Sequence, residues 1–108
     1  TGTRQGDAEE AAALREVFGD TVPVSSLKGH LGHTLGASGA VELAAVLDML
    51  RQQVIPATRN LIEIAPDCAG LDHVQTNRHA RINTFVKNCF AFGGVNAVLV
   101  GRRFEADA

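Results

Sequence analysis

The segment from Ala37 to Gln52, "ASGAVELAAVLDMLRQ", constrains the fold more than any other part of the chain. Its apolar residues leave little polar face, so it predicts a helix that is buried on most sides. The small residues within it favour close packing against another helix. The apolar run is too short to span a bilayer, and it contains Glu42 and Asp48, so it does not indicate a membrane segment.

A second helix is predicted from Asp7 to Phe18, "DAEEAAALREVF", where apolar residues recur at helical spacing. Asp7 is the expected N-cap of this helix. Glu10 stands at the position that completes a capping box. Gly19 is expected to end the helix, as glycine commonly does.

Several short strands are predicted around the buried helix. "TVPVSS" is apolar and β-branched, and "LDHV" indicates a short edge strand. "INTFVKNCF" and "NAVLVGRRF" predict two strands joined by "AFGGV", and the continuous "AVLV" is typical of a buried strand. Pro56 and Pro66 interrupt the irregular segment before the hairpin. The order helix, strand, long helix and hairpin predicts a layered α/β arrangement.

The composition excludes several classes of function. The formal net charge is −2, the sequence pI is about 6.0, and aromatic residues make up only 5% of the chain. No basic run or arginine stripe indicates a nucleic-acid partner, and nothing indicates a membrane surface. Cys68 and Cys89 have no disulfide-framework spacing, which favours free thiols in a reducing compartment. We therefore expect a cytoplasmic protein.

Residues 28–40, "KGHLGHTLGASGA", place one lysine, two histidines and four glycines before the buried helix. In one interpretation this is a polar loop that caps the helix. In another, a neutral histidine N–H donates to a developing oxyanion, and the glycines let a substrate approach the backbone. The N-terminus of the following helix would also favour negative charge. A metal pair of His30 and His33 lacks an obvious third ligand, so no metal site is predicted.

The stretch "NCFAFGG" also leaves two interpretations open. Cys89 is expected to be a buried thiol inside a strand, because free cysteine is among the most buried residue types. A nucleophilic role for Cys89 is the alternative. Phe90 and Phe92, followed by Gly93 and Gly94, predict either an ordinary hairpin turn or the wall of a site.

Three blocks of the sequence resemble one family of enzymes. "TGTRQGD", "SSLKGHLGHTLGASGAVE" and "NCFAFGGVNAVLV" occur in the order and spacing of the C-terminal part of β-ketoacyl-acyl-carrier-protein synthases, the condensing enzymes of the thiolase-like fold. The resemblance covers nearly the whole chain. It implies a layered αβα architecture, the C-terminal half of the αβαβα ketosynthase fold. It also implies that residues 1–108 are one C-terminal ketosynthase domain of a longer protein.

The resemblance implies a decarboxylative Claisen condensation between an acyl thioester and malonyl carrier protein. His33 matches one of two histidines that hold the malonyl thioester oxygen, and Lys28 matches the family lysine. Asp7 and Glu10 occupy the places of carboxylates that pair with this lysine. The implied partner is the acyl carrier protein, whose phosphopantetheine arm carries the substrate, and no cofactor of the protein itself is implied. A homodimer or a ketosynthase heterodimer is also expected.

The resemblance assigns further residues to the substrate site. Phe92 matches the aromatic gate of the acyl pocket, and its N–H belongs to the acyl oxyanion hole. The remaining matched positions are Thr1 and Thr3 at the phosphopantetheine arm, Phe90, Gly93 and Gly94 beside the gate, and Glu42 and Asn96 where side chains order the site.

Two catalytic groups of the family, the nucleophilic cysteine and the first histidine, match nothing in these residues. Neither Cys68 nor Cys89 stands at the nucleophile position, so we expect residues 1–108 to be inactive alone. Two other functions remain open. The first is a non-catalytic subunit like the chain-length factors, although Lys28 and His33 are retained. The second is a binding module for an acyl chain or carrier protein, against which the buried helix argues.

Overall fold

A computed structural model of the protein describes residues 1–104, which divide into two compact units. The first contains Thr1–His33 and Ile55–Arg78, and the second contains Thr34–Val54 and the described residues from His79 onward. The helices are α1 (Arg4–Phe18), α2 (Lys28–Leu31) and α3 (Ser38–Gln52), with 3₁₀ turns at Leu35–Ala37 and Pro66–Cys68. The strands are β1 (Pro23–Val24), β2 (Val54–Ile55), β3 (Asp72–His73), β4 (Arg78–His79), β5 (Thr84–Ala91) and β6 (Val95–Arg102).

The start of α1 differs from the sequence prediction. The N-cap is Thr3, whose backbone is extended and whose hydroxyl accepts a hydrogen bond from the Gly6 N–H at 3.2 Å. Asp7 lies in the first turn, where its carboxylate accepts from the Gly2 N–H at 3.0 Å. The prediction of Asp7 as N-cap, with Glu10 completing a capping box, is therefore wrong. The physical reason is that a hydroxyl earlier in the chain already satisfies the first turn of the helix.

The first unit is built around α1, a short parallel strand pair and a buried valine. Gly19 ends α1 as predicted, with a φ of 61°. β1 and β3 pair in parallel, with Val24 opposite His73, which confirms the short strand in "LDHV". Val74 follows β3 and is completely buried. Its N–H donates to the Val24 carbonyl at 3.0 Å, and its own carbonyl accepts from the Thr58 N–H at 2.7 Å.

Asp72 and Arg78 form a two-pronged ion pair in the first unit, with Arg78 Nη2 lying 2.9 Å from Asp72 Oδ1. The hydrogen bonds from Arg78 lower the pKa of Asp72 below its ordinary value of 3.8. A carboxyl group whose pKa is lower in the folded state stabilises the fold above its unfolded pKa, and this contribution is lost as the pH falls through the folded pKa. We therefore expect Asp72→Asn in the full-length protein to lower the unfolding temperature at pH 7 and to lose this effect in acid.

The check on Asp72 is a series of thermal unfolding curves for both proteins from neutral to acidic pH. The difference at pH 7 is expected to be modest, since both side chains are partly exposed and water screens the pair. A difference in unfolding temperature that stays the same at every pH would contradict the role of this ionisation.

In the second unit, α3 is followed by a left-handed residue that is not glycine. Gln53 has a φ of 56° and a ψ of 42°. Its Nε2 donates to the carbonyls of Leu50 and Ile82 at 2.8 and 2.9 Å, and its Oε1 accepts from the Ile82 N–H at 2.8 Å. The carboxamide therefore joins the end of α3 to the chain just before β5. No pattern in the sequence indicated this role.

We expect Gln53→Ala in the full-length protein to lower the free energy of unfolding by about 2–3 kcal/mol, because three hydrogen bonds worth about 1 kcal/mol each are lost. The Ile82 amide loses its acceptor and should exchange its hydrogen faster. Denaturant unfolding and hydrogen-exchange mass spectrometry measure the two effects. Gln52→Ala is the matched control, because Gln52 is exposed and its carboxamide donates to the side chain of Asp48, which is also exposed and lies on the same helix. Unchanged exchange around Ile82 would contradict the role of Gln53.

β5 and β6 form the antiparallel hairpin that the sequence predicted. Their register pairs Thr84 with Arg102 and Ala91 with Val95, so residues 92–94 make the turn. Gly93 and Gly94 have φ values of 86° and 77°, which glycine adopts without steric cost. The strand assignment of Cys89 is also confirmed, and its side chain is half-buried.

Several apolar side chains of the second unit are exposed within residues 1–104. Val98 and Val100 of β6 are 61% and 65% exposed, and Leu47 of α3 is 52% exposed. Residues 1–104 by themselves therefore leave "AVLV" and part of α3 uncovered, and their burial in the full-length protein stays a prediction. A strand is buried on both faces only where other layers cover it, and β6 pairs with β5 in a sheet of two strands. Within residues 1–104, no helix has the length and apolar character needed to cross a membrane.

Candidate active site

α2, which carries the lysine and histidine motif, is anchored to the segment after β2. His30 Nε2 lies 2.8 Å from the Ala57 carbonyl oxygen, a distance at which the ring nitrogen donates a hydrogen bond. Gly29 approaches the Arg59 backbone so closely that an added Cβ would lie 2.4 Å from its carbonyl oxygen. The sequence pattern indicates His30 only as a possible metal ligand. It does not indicate this anchoring contact, because Ala57 is distant in sequence.

Lys28 and His33 lie at the two ends of α2. Lys28 is the first residue of the helix and is half-buried. Gly32 ends the helix with a φ of 75°, and its N–H donates to the Lys28 carbonyl at 2.9 Å. His33 follows directly and is exposed. An exposed imidazole therefore lies beside an anchored helical turn.

The start of α1 brings together four residues that the resemblance assigned. Thr1 and Thr3 match contacts of the phosphopantetheine arm, and Asp7 and Glu10 match the carboxylates that pair with the family lysine. The hydroxyls of Thr1 and Thr3 are 2.8 Å apart. The carboxylates of Asp7 and Glu10 lie 3.4 and 4.0 Å from the Thr1 backbone nitrogen. The structure therefore brings these four residues into one cluster, and the pairing of Lys28 with the two carboxylates remains a prediction.

An open cavity of about 500 Å³ lies beside this cluster and is lined by Arg4, Asp7 and residues 65–68. It includes Cys68. Burial, followed by the neighbouring Asp67 carboxylate, raises the pKa of the Cys68 thiol. Because the thiolate is the nucleophilic form, this environment disfavours a catalytic role for Cys68.

The turn of the β5–β6 hairpin carries the residues matched to the acyl pocket. Phe90 is half-buried on β5 and stands opposite Asn96 in the hairpin register. Phe92 lies in the turn and is 96% exposed. A Cβ added to Gly93 or Gly94 would meet no atom within 4 Å. The turn thus presents an aromatic ring next to unobstructed backbone, which is compatible with an ordinary hairpin turn and with one wall of a site.

Next to this turn along β5, Lys87 forms a buried ion pair with Glu42 of α3, in which Nζ lies 2.6 Å from Oε2. The Ser38 hydroxyl donates to the other Glu42 oxygen at 3.3 Å. Lys87 Nζ also donates to Cys89 Sγ at 3.0 Å and to the Asn88 carbonyl at 3.2 Å. Burial acts to lower the pKa of Lys87, but its bonds to Cys89 and Glu42 outweigh burial and raise it. The side chain is therefore an ammonium ion at neutral pH.

The candidate residues thus form two groups, one in each unit. Lys28, His33 and the α1 cluster belong to the first unit, whereas the hairpin turn and Glu42 belong to the second. In the part of the chain that the structure describes, no three His, Cys, Asp or Glu side chains converge to hold a metal ion, so His30 and His33 gain no third ligand there.

The resemblance predicted a histidine after a glycine-rich turn and an aromatic ring before paired glycines, and the structure describes both features, one in each unit. The chain belongs to the β-ketoacyl synthase family, because the family model "Beta-ketoacyl synthase, C-terminal domain" matches residues 1–62. The chain is 42% identical over 106 residues to 3-oxoacyl-[acyl-carrier-protein] synthase 1 of Escherichia coli (strain K12), covering 97% of this chain and 26% of that protein.

Solved structures confirm the predicted fold. The crystal structure of a β-ketoacyl synthase from Burkholderia phymatum STM815 superposes with a TM-score of 0.92 at 40% identity, over 95% of this chain and 26% of that one. A second similar structure is that of a type II polyketide acyl-carrier protein in complex with its ketosynthase bound to the hexaketide. One chain of that complex superposes with a TM-score of 0.89 at 32% identity, over 95% of this chain and 26% of that one. The chain therefore spans about a quarter of the length of these relatives and has the thiolase-like fold of their C-terminal part.

Proposed function

We propose that this chain is the C-terminal part of a β-ketoacyl-acyl-carrier-protein synthase, an acyltransferase that extends an acyl chain by decarboxylative condensation with malonyl carrier protein. The observation that carries this proposal is the 42% identity to a 3-oxoacyl-[acyl-carrier-protein] synthase over 97% of the chain. Since the chain spans 26% of that protein, the activity belongs to the full-length synthase and not to residues 1–108 alone.

The proposed reaction has two bond-making stages. First, a cysteine thiolate outside these residues attacks the acyl carrier thioester, so that an acyl-cysteine thioester forms, the carrier's C–S bond breaks and the phosphopantetheine thiol leaves. Malonyl carrier protein then loses carbon dioxide, and the electron pair of the broken C–C bond forms an enolate. The enolate carbon attacks the acyl carbonyl, a new C–C bond forms, and the cysteine leaves as a thiolate. The product is a β-ketoacyl thioester on the carrier protein.

We assign His33 to the enolate oxygen of the malonyl thioester. A preorganised N–H donor stabilises charge that develops only in the transition state, which lowers the barrier without tightening substrate binding. The exposure of His33 and its position directly after the anchored α2 support this role. Lys28, at the other end of α2, is proposed as the catalytic lysine, with Asp7 and Glu10 as its carboxylate partners.

The remaining matched residues are proposed to bind substrate. The exposed ring of Phe92 and the unobstructed Gly93 and Gly94 suit an acyl chain that passes over the hairpin turn. The full set of proposed substrate contacts is Thr1 and Thr3 for the phosphopantetheine arm, and Phe90, Phe92, Gly93 and Gly94 for the acyl pocket, with Glu42 and Asn96 ordering the site.

The proposed partner is an acyl carrier protein. One structural relative is a ketosynthase in complex with its acyl-carrier protein, which supports this partner for a chain of the same fold. We further propose that the full-length synthase is a homodimer, or a heterodimer with a second ketosynthase chain. The relatives include both a 3-oxoacyl-[acyl-carrier-protein] synthase and a polyketide ketosynthase, so we propose an acyl group of the fatty-acid or the polyketide type.

We also propose that the protein functions in the cytoplasm. Cys68 and Cys89 are both free thiols, as expected in a reducing compartment. Fractionation of cells that express the full-length protein tests this location.

The proposed function is tested by mixing the full-length synthase with acyl and malonyl carrier proteins and measuring the carrier by intact mass. We expect malonyl carrier protein to be converted to a β-ketoacyl carrier protein with release of carbon dioxide. Product that forms only when a second ketosynthase chain is added, with the acyl group carried by that second chain and never by this one, would favour the non-catalytic subunit. Carrier binding without product or carbon dioxide release under either condition would favour the binding module.

A further inference from the structure

The second unit contains one ammonium that is removed from water. Lys87 is only 9% exposed, which is rare for lysine unless the charge is paired. An ammonium has three N–H donors, and the structure provides three acceptors: Glu42 Oε2 at 2.6 Å, Cys89 Sγ at 3.0 Å and the Asn88 carbonyl at 3.2 Å. The cation is therefore fully coordinated by protein atoms.

A contribution to stability does not by itself explain the buried ion pair of Lys87 and Glu42. Taking two charges out of water costs free energy that their attraction only partly returns, so a well-packed apolar pair is often at least as stable. A buried pair of this kind does, however, hold two elements in one relative arrangement. Glu42 is on the first part of α3 and Lys87 is on β5, so the pair joins a helix to a strand within the second unit.

The joined strand leads directly to the proposed acyl site. Cys89, which accepts from Lys87, precedes Phe90, and the turn at residues 92–94 follows. α3 also comes close to β5 here, since a Cβ at Gly39 would lie 3.8 Å from Cys89 Sγ. A shift of β5 relative to α3 would therefore move the rings and backbone that we assign to the acyl pocket.

We propose that Lys87 is a positioning residue whose ammonium serves as a built-in cation, holding β5 on α3 so that the hairpin turn keeps the geometry needed for acyl transfer. The effect on activity rests on the proposed function, whereas the cation role does not. Removing the side chain beyond Cβ leaves a site formed by a carboxylate, a carbonyl and a thiol. Such a site can accept a small alkylammonium ion from solution.

The test compares variants of the full-length synthase. We expect Lys87→Ala to lower the unfolding temperature and to lower kcat/KM by about 10- to 100-fold, since small displacements of a site cause losses of this order. Added methylammonium should restore both quantities in this variant and leave the wild type unchanged. Trimethylammonium, which is bulkier and has a single N–H donor, is the matched control and should restore neither. Thr84→Ala, at an exposed position of β5, is expected to behave like the wild type.

A double variant keeps the proposal testable if Lys87→Ala does not fold. Lys87→Met with Glu42→Met replaces the ion pair by apolar side chains and should regain the wild-type unfolding temperature. We expect kcat/KM to stay low in this variant and hydrogen exchange at residues 90–95 to stay fast. Full recovery of both would overturn the positioning role, as would an absence of methylammonium rescue in a folded Lys87→Ala. If the wild type itself lacks condensation activity, the proposed function fails, and the unfolding and exchange measurements still test the cation role.

Discussion

Replacing His33 by alanine in the full-length synthase is expected to abolish condensation while largely preserving acyl loading. Enolate charge develops on the malonyl thioester oxygen when carbon dioxide leaves, so an N–H donor at that oxygen accelerates this step and not the transfer of the acyl group to cysteine. Loss of one such donor typically lowers kcat by about 10²- to 10³-fold. Carbon dioxide release from malonyl carrier protein and the mass of the acyl-enzyme measure the two steps separately.

A second histidine of the chain offers a matched control. His79 is also exposed and lies on β4, outside the proposed site, so His79→Ala should retain the wild-type rates. His33→Gln keeps a side-chain N–H donor and should retain part of the decarboxylation. The proposed role of His33 would be contradicted if His33→Ala lost acyl loading and decarboxylation equally. Normal decarboxylation in this variant would contradict it as well.

Gly29→Ala should cause the second-largest loss, although Gly29 has no functional group. Its added Cβ would lie 2.4 Å from the Arg59 carbonyl oxygen, so either α2 or the segment of Arg59 must move. Overpacking of this kind typically costs about 1–3 kcal/mol of stability. Displacing the flanking Lys28 and His33 by about 1 Å is enough to lower kcat by about 10²-fold. Steady-state kinetics and denaturant unfolding of the full-length synthase measure these effects.

The same glycine-rich stretch contains the control for this substitution. Gly36 has no atom within 4 Å of a built Cβ and does not have a positive φ. Gly36→Ala should therefore retain both stability and activity. If the two variants lose activity equally, any change in this stretch is harmful, and the close approach at Arg59 is not the cause.

The features that the sequence predicted correctly depend on residues close together along the chain. The β5–β6 hairpin follows from two β-rich runs joined by adjacent glycines, and the end of α1 follows from Gly19. The family follows from three motifs in a fixed order, which remain visible whatever the surrounding fold. Such signals are local, so they need no knowledge of distant contacts.

The prediction of the α1 cap is wrong for a physical reason. Asp7 has a good capping side chain, but Thr3 reaches the first turn and occupies the cap position. The continuous "AVLV" predicts a strand that can be buried, whereas actual burial depends on whether another layer covers it. Residues 1–104 do not include such a layer over β6, so its burial stays a prediction for the full-length protein.

The sequence by itself determined the family, the hairpin and the identity of the candidate catalytic side chains, because motif order and turn residues are properties of the chain. Only the tertiary structure decided that His30 anchors α2 through Ala57, that Gln53 joins α3 to Ile82, and that Lys87 pairs with Glu42. The partners in these three contacts are 27, 29 and 45 residues apart. Hydrogen bonds and ion pairs depend on distances in space, and folding brings such residues together without leaving a regular spacing in the sequence.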